Sequence, residues 1–278
     1  MRLRSGSRRT RRLSAFALVL STFALAQNQR PLPAAAPEAM PALARVHVLV
    51  RDTLDPDRLR NLARPNVTAW VETTSNTLSV AAVENLARFD EAFVQLRAPL
   101  KSVDAREFAR MPRVGAWLTP ASLELAGRLP GVRRLAVQVD TIDEPTVAAL
   151  ARARPAVVRW APTGPIDVLQ WALFGQVPGH RVVVGSTHLL QATSCAERRA
   201  DQPVPELHVA HLLALSSDVF PCGRGTRVVV PLEVDRWLLQ SLLVRDPSVE
   251  LVLEVGDDAE RATKARLLLE ALGVGPSR

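Results

Sequence analysis

A six-residue phrase recurs along this chain and marks where its helices begin: an aliphatic residue, then Asp, Ser or Thr, three variable positions, and a large apolar residue. It reads Leu54-Asp55…Leu59, Leu78-Ser79…Val83, Val103-Asp104…Phe108, Leu118-Thr119…Leu123, Ile142-Asp143…Val147 and Ile166-Asp167…Trp171. The polar residue suits a helix N-cap, and the flanking apolar pair can close over the cap as a hydrophobic staple. Five of the six follow an apolar run rich in Val, Leu, Ala and Trp. The polar positions lie 24, 25, 15, 24 and 24 residues apart, so the chain repeats strand, loop and capped helix with a period of about 24.

Hydrophobic patterning places strands over 46–50, 67–71, 92–96, 114–118, 134–139, 157–161, 181–184, 226–230 and 249–255. Short amphipathic helices are expected over 56–64, 80–88, 105–110 and 144–152, with a longer one over 258–272. The clearest copy of the unit runs from Leu129 to Leu150, with Val132, Leu135 and Val137 as its aliphatic positions, then Asp140 and Ile142-Asp143. This copy resembles the helix-bearing leucine-rich repeat of the ribonuclease-inhibitor kind, which has Asn where Asp140 stands. Residues 67–86 form a second copy with an insertion, and 46–62 a partial third. The resemblance covers about half of the chain. It implies an α/β solenoid whose parallel sheet lines an open concave face.

A small (βα)8 barrel is the alternative, since a parallel strand followed by a capped helix is also its unit. In both folds Val46, Val48 and Val50 face helices, whereas His47, Leu49 and Arg51 face the other way. The same holds for Thr68, Trp70 and Glu72, for Phe93, Gln95 and Arg97, and for Gly115, Trp117 and Thr119. That second face is open in a solenoid and enclosed in a barrel. Short spacing and nine candidate strands favour the solenoid.

Six arginines (Arg2, Arg4, Arg8, Arg9, Arg11, Arg12) precede an apolar run over 13–23 and Ala24-Leu25-Ala26. This is the pattern of a secretory signal peptide over 1–26, too short to be a membrane anchor. Without these six, 29 basic residues stand against 28 acids, a formal charge of +1 in place of +7. The basic character belongs to the leader, which argues against nucleic-acid binding. A Pro/Ala-rich linker over 27–45 then leads into a single βα-repeat domain over 46–278.

Residues 185–225 break the repeat and hold the only cysteines, Cys195 and Cys222. Export would place these where disulfides persist, and a bond closing this loop would contribute about 3 kcal/mol. A Cys2His2 metal site with His208 and His211 has poor spacing, so no metal is expected. His208 and His211 are read instead as part of an amphipathic helix over 206–215. Asn66-Val67-Thr68 matches a glycosylation acceptor only by chance, as it opens an apolar strand.

Gly-x-Ser-x-Gly, phosphate-binding Gly loops and His-Glu-x-x-His are absent. The first expectation is therefore an exported, non-catalytic binding protein without a cofactor. Its concave face would present Trp70, Glu72, Phe93, Gln95, Arg97, Trp117 and Thr119 to an envelope protein or polysaccharide. The alternative is a barrel-like carbohydrate- or phosphate-active enzyme, or a degenerate one, with Glu72, His188 and Glu254 at its mouth beside Arg51, Arg97, Thr119 and Asp140. Pairing of the first strand with a late one would decide between them.

Overall fold

Val-rich runs such as Val46-His-Val-Leu-Val50 and Arg227-Val-Val-Val230 become strands because β-branched side chains fit a pleated, covered surface. A computed structural model describes residues 45–52, 56–73, 80–96, 110–128, 132, 134–186, 203–208 and 226–274. Its ten strands are β1 (Arg45–Asp52), β2 (Val67–Thr73), β3 (Glu91–Gln95), β4 (Val114–Leu118), β5 (Leu135–Val139), β6 (Val157–Trp160), β7 (His180–Ser186), β8 (Val204–His208), β9 (Arg227–Val230) and β10 (Glu250–Gly256). The helices are α1 (Pro56–Leu62), α2 (Val80–Leu86), α3 (Glu144–Ala153), α4 (Val168–Gly175), α5 (Arg236–Arg245) and α6 (Ala259–Ala271), with a 3-10 helix over Pro120–Arg128.

All ten strands are parallel and each pairs with its neighbour in sequence. β1 also pairs with β10, Arg45 opposite Glu250 and Leu253 opposite Val48, so the sheet is a closed barrel. The open solenoid is thereby corrected, and with it the concave face. The eight-stranded alternative is corrected in strand number. Followed strand by strand, the register returns to β1 displaced by about ten residues, so stagger matches strand number as in the (βα)8 barrel. Closure leaves no edge strand among the described residues.

The outward strand faces form the main core. Val46, Val48 and Val50, Val67, Ala69 and Val71, and Leu251, Leu253 and Val255 are buried in one cluster with Leu59 and Leu62 of α1, Leu150 of α3, Phe174 of α4 and Leu268 and Leu269 of α6. The helix-start residues cap as expected at Asp143, Asp167 and Asp258, whereas Asp235, in a further copy of the phrase at Val234-Asp235…Leu239, takes the N-cap position of α5 without a side-chain cap bond. The side chain of Asp143 accepts from the Thr146 backbone N–H at 2.8 Å. Asp167 forms a complete capping box with Gln170, and Asp258 accepts from the Glu260 N–H at 2.7 Å. The shortened unit after Thr119 folds as the 3-10 helix. At Gly179, which turns the chain into β7 with φ +88°, a Cβ would lie 2.3 Å from the Pro155 carbonyl oxygen, so this turn requires glycine.

One expected helix is replaced. Residues 204–208 of the region read as irregular form β8, because Val204 and Glu206 alternate with Leu207 and fill opposite faces of the sheet. Cys195, Cys222, His188, His211, Arg97 and the leader and linker over 1–44 lie outside the described residues.

Candidate functional site

The inward strand faces carry a second, separate set of side chains. Midway along β2 to β5 they are aromatic or small: Trp70, Phe93, Trp117 and Ala136 form their own buried cluster, with Leu49 and Val157 packed against it, while Thr68, Glu91, Gln95 and Gln138 flank it on the same faces. Trp70 stacks on Phe93 with ring centroids 4.7 Å apart and meets Trp117 edge-on at 5.6 Å. Gly115 makes the stack possible, since a Cβ there would come within 2.9 Å of the Phe93 ring.

From β6 round to β1 charged side chains stand inward among Val182, Val204, Val229 and Val252. Arg159 donates to Gln138 at 3.1 Å and to the buried carboxylate of Glu206. Arg227 lies 3.8 Å from the other oxygen of Glu206 and donates to Glu250 at 2.9 Å. His47 Nε2 is 2.8 Å from the same Glu250 oxygen, and the indole N–H of Trp70 donates to His47 Nδ1 at 3.2 Å. The Arg159 guanidinium lies 5.2 Å from the Trp70 ring centroid, which closes the chain of contacts into a ring.

The charges within this ring balance, two arginines against two glutamates. Burial pushes the His47 pKa down to about 4, assisted by Arg227, so His47 is neutral at pH 7. The proton therefore sits on Nε2, which donates to Glu250, while Nδ1 accepts from Trp70. Burial raises the Glu206 and Glu250 carboxyls, but their partners overcome it. Arg159 and Arg227 hold Glu206 below the usual carboxylate range, and the His47 and Arg227 contacts bring Glu250 to about 2.

Above this ring, at the C-terminal strand ends, opens a cavity of about 420 Å³. That is within the range of about 300–1,000 Å³ common for small-molecule sites. Among the described residues its walls include Trp70, Trp117, Gln138 and Arg159 from the barrel interior, and Leu49, Arg51, Glu72, His208 and Glu254 towards the rim. Arg51 donates to Glu72 at 2.9 Å. Arg261 of α6 binds the backbone carbonyls of Glu254 and Val255, tying α6 to the rim. The indole N–H of Trp117 and the Nε–H of Arg159 are buried without hydrogen-bond partners.

Of the residues expected at a binding face, Trp70, Glu72 and Trp117 line this cavity, as does Glu254 from the barrel alternative. Phe93 is fully buried behind Trp70. Gln95 is buried outside the lining, and Thr119 is engaged with Ser122 at the start of the 3-10 helix. Asp140 is exposed, and its carbonyl accepts from Trp160. Sequence reasoning missed Arg159, Glu206 and Arg227. Their signal was a charged residue inside an otherwise apolar run, as in Val157-Val158-Arg159-Trp160.

Among the described residues no group of three or more His, Cys, Asp or Glu side chains could hold a metal ion. No described helix is long and apolar enough to cross a membrane. No protein-family model matches the chain, and no curated protein matches it significantly. Fold and site together define a parallel βα barrel with a ligand-sized cavity at the C-terminal mouth, the end at which such barrels place their active residues.

Proposed function

We propose that the barrel mouth is a saccharide-binding site and that the protein is an exported binder of envelope glycans. The observation that carries this reading is the cavity wall itself: the indoles of Trp70 and Trp117 beside Gln138, Arg159, Glu72, Glu254 and His208. Sugars present apolar C–H faces and a rim of hydroxyls, and they are bound by aromatic rings flanked by polar groups. The basic, apolar leader over 1–26 supports an envelope setting. The mouth takes the role that an open sheet would have played, now for a short glycan segment in place of an extended surface.

Titration calorimetry with a panel of envelope oligosaccharides tests this reading. Binding by the full chain is expected, with Trp117→Ala weakening it about tenfold or more, a loss of about 1.4 kcal/mol per decade. Absence of binding to every oligosaccharide would overturn it. A second reading has its own observation, namely that Glu72 and Glu254 line one cavity from β2 and β10. Paired carboxylates at a barrel mouth suit glycoside hydrolysis. Release of new reducing ends, abolished in Glu254→Gln, would mark the protein as an enzyme.

A further inference from the structure

The hydrogen-bonding capacity left over on the cavity floor is of one kind. The acceptors at and directly beneath the floor are engaged: the Gln138 side-chain oxygen by Arg159, and in the ring below it Glu206 by Arg159 and Arg227, Glu250 by Arg227 and His47, and His47 Nδ1 by Trp70. What remains is donors. Trp117 is 7% exposed and Arg159 5%, and both line the cavity. The Trp117 indole N–H and the Arg159 Nε–H are buried with no partner. The amide nitrogen of Gln138 supplies further donors beside them. Buried donors without acceptors are uncommon and costly, and in a ligand-sized cavity they define what an occupant supplies.

The occupant's deep group is therefore an acceptor, and charge decides which kind. The guanidinium of Arg159 is already matched by Glu206, and that of Arg227 is shared between Glu206 and Glu250. A carboxylate seated on this floor would bring a third anion next to Glu206, with no cation among the described floor residues left unmatched to meet it. A neutral carbonyl oxygen meets the same donors without that cost. Its neighbours on the floor, the indoles of Trp70 and Trp117 with Leu49, suit a methyl group.

We infer that the floor recognises the acyl-amide group of an N-acetylated amino sugar, its carbonyl oxygen accepting from the Trp117 and Arg159 donors and its methyl packing on the indoles. This inference rests on the saccharide-binding reading and narrows it to one sugar class.

The test is titration calorimetry of the full chain with matched oligosaccharides of N-acetylglucosamine, glucosamine, glucose and glucuronic acid. The N-acetylated oligomer is expected to bind at least about tenfold more tightly than the glucose oligomer. Trp117→Phe keeps an aromatic ring but lacks the N–H, and is expected to bring that ratio towards one, with circular dichroism confirming the fold. Equal affinity for glucose and N-acetylglucosamine oligomers in the unsubstituted chain would overturn the inference while leaving saccharide binding intact. Preference for the glucuronic acid oligomer would overturn it in favour of an anion site. Binding to none of the four would overturn it together with the saccharide reading, and an unchanged ratio in Trp117→Phe would remove Trp117 from the acyl contact.

Discussion

The interior of this barrel is divided between two arcs that fill the same space by different physics. On β2 to β5, Trp70, Phe93, Trp117 and Ala136 occupy the lumen by area and shape. From β6 round to β1, Arg159, Glu206, Arg227, Glu250 and His47 occupy it by pairing. The aromatic arc tolerates approximation, because burial free energy scales with area and neighbouring rings can resettle. The charged arc does not, because each ion was desolvated on the condition that its partner is present. The arcs meet where Trp70 donates to His47 and where Arg159 lies over Trp70. The cavity opens above that junction and draws on both.

The largest expected difference between the arcs lies at Glu206. Glu206→Gln keeps shape and removes one charge, leaving Arg159 and Arg227 with a single carboxylate between them. Denaturant unfolding is expected to show a loss of about 3–5 kcal/mol, against about 1–2 kcal/mol for Phe93→Leu in the aromatic arc. Equal losses would break the comparison.

Acid should act on the charged arc next. His47 titrates near 4 in the folded chain and near 6.5 unfolded. Between these values the unfolded chain binds the extra proton, so stability falls as pH drops from about 6.5 to about 4, by about 3 kcal/mol. Glu250, held near 2, adds a further loss as pH falls from about 4.5 towards 2. Urea unfolding across this range is expected to show the first step, and His47→Gln to flatten it and to shrink the second as well, because the His47 contact helps to hold Glu250 down.

The smallest effect belongs to the rim. Arg51 and Glu72 form an ion pair in which Arg51 is largely exposed, and Arg51→Ala should leave the thermal unfolding midpoint nearly unchanged. A larger loss would mean that the rim is as tightly coupled as the lumen.

Much of the fold was legible locally. Asp143, Asp167 and Asp258 cap the helices they were expected to cap, and nine of the ten strands were found by apolar patterning. β8 was missed because Glu206 and His208 gave it a helical polar face, although alternation about Leu207 was the true period. The cavity was half legible. Trp70, Glu72, Trp117 and Glu254 stood out as strand residues on the face away from the helices, whereas Arg159, Glu206 and Arg227 looked like isolated charges in apolar strands. A charge in such a strand is meaningful only with its partner, and Arg159 and Glu206 are 47 residues apart.

By itself the sequence determined the βα unit, its starts and the separation of helix-facing from inward-facing side chains, since capping and pleat alternation act within a few residues. Tertiary structure alone decided that β1 joins β10, turning the face expected to be open into a lumen with a mouth. The reason is range. Closure depends on twist and stagger accumulated over ten strands, and on buried polar contacts such as His47 with Glu250, 203 residues apart, that no local pattern encodes.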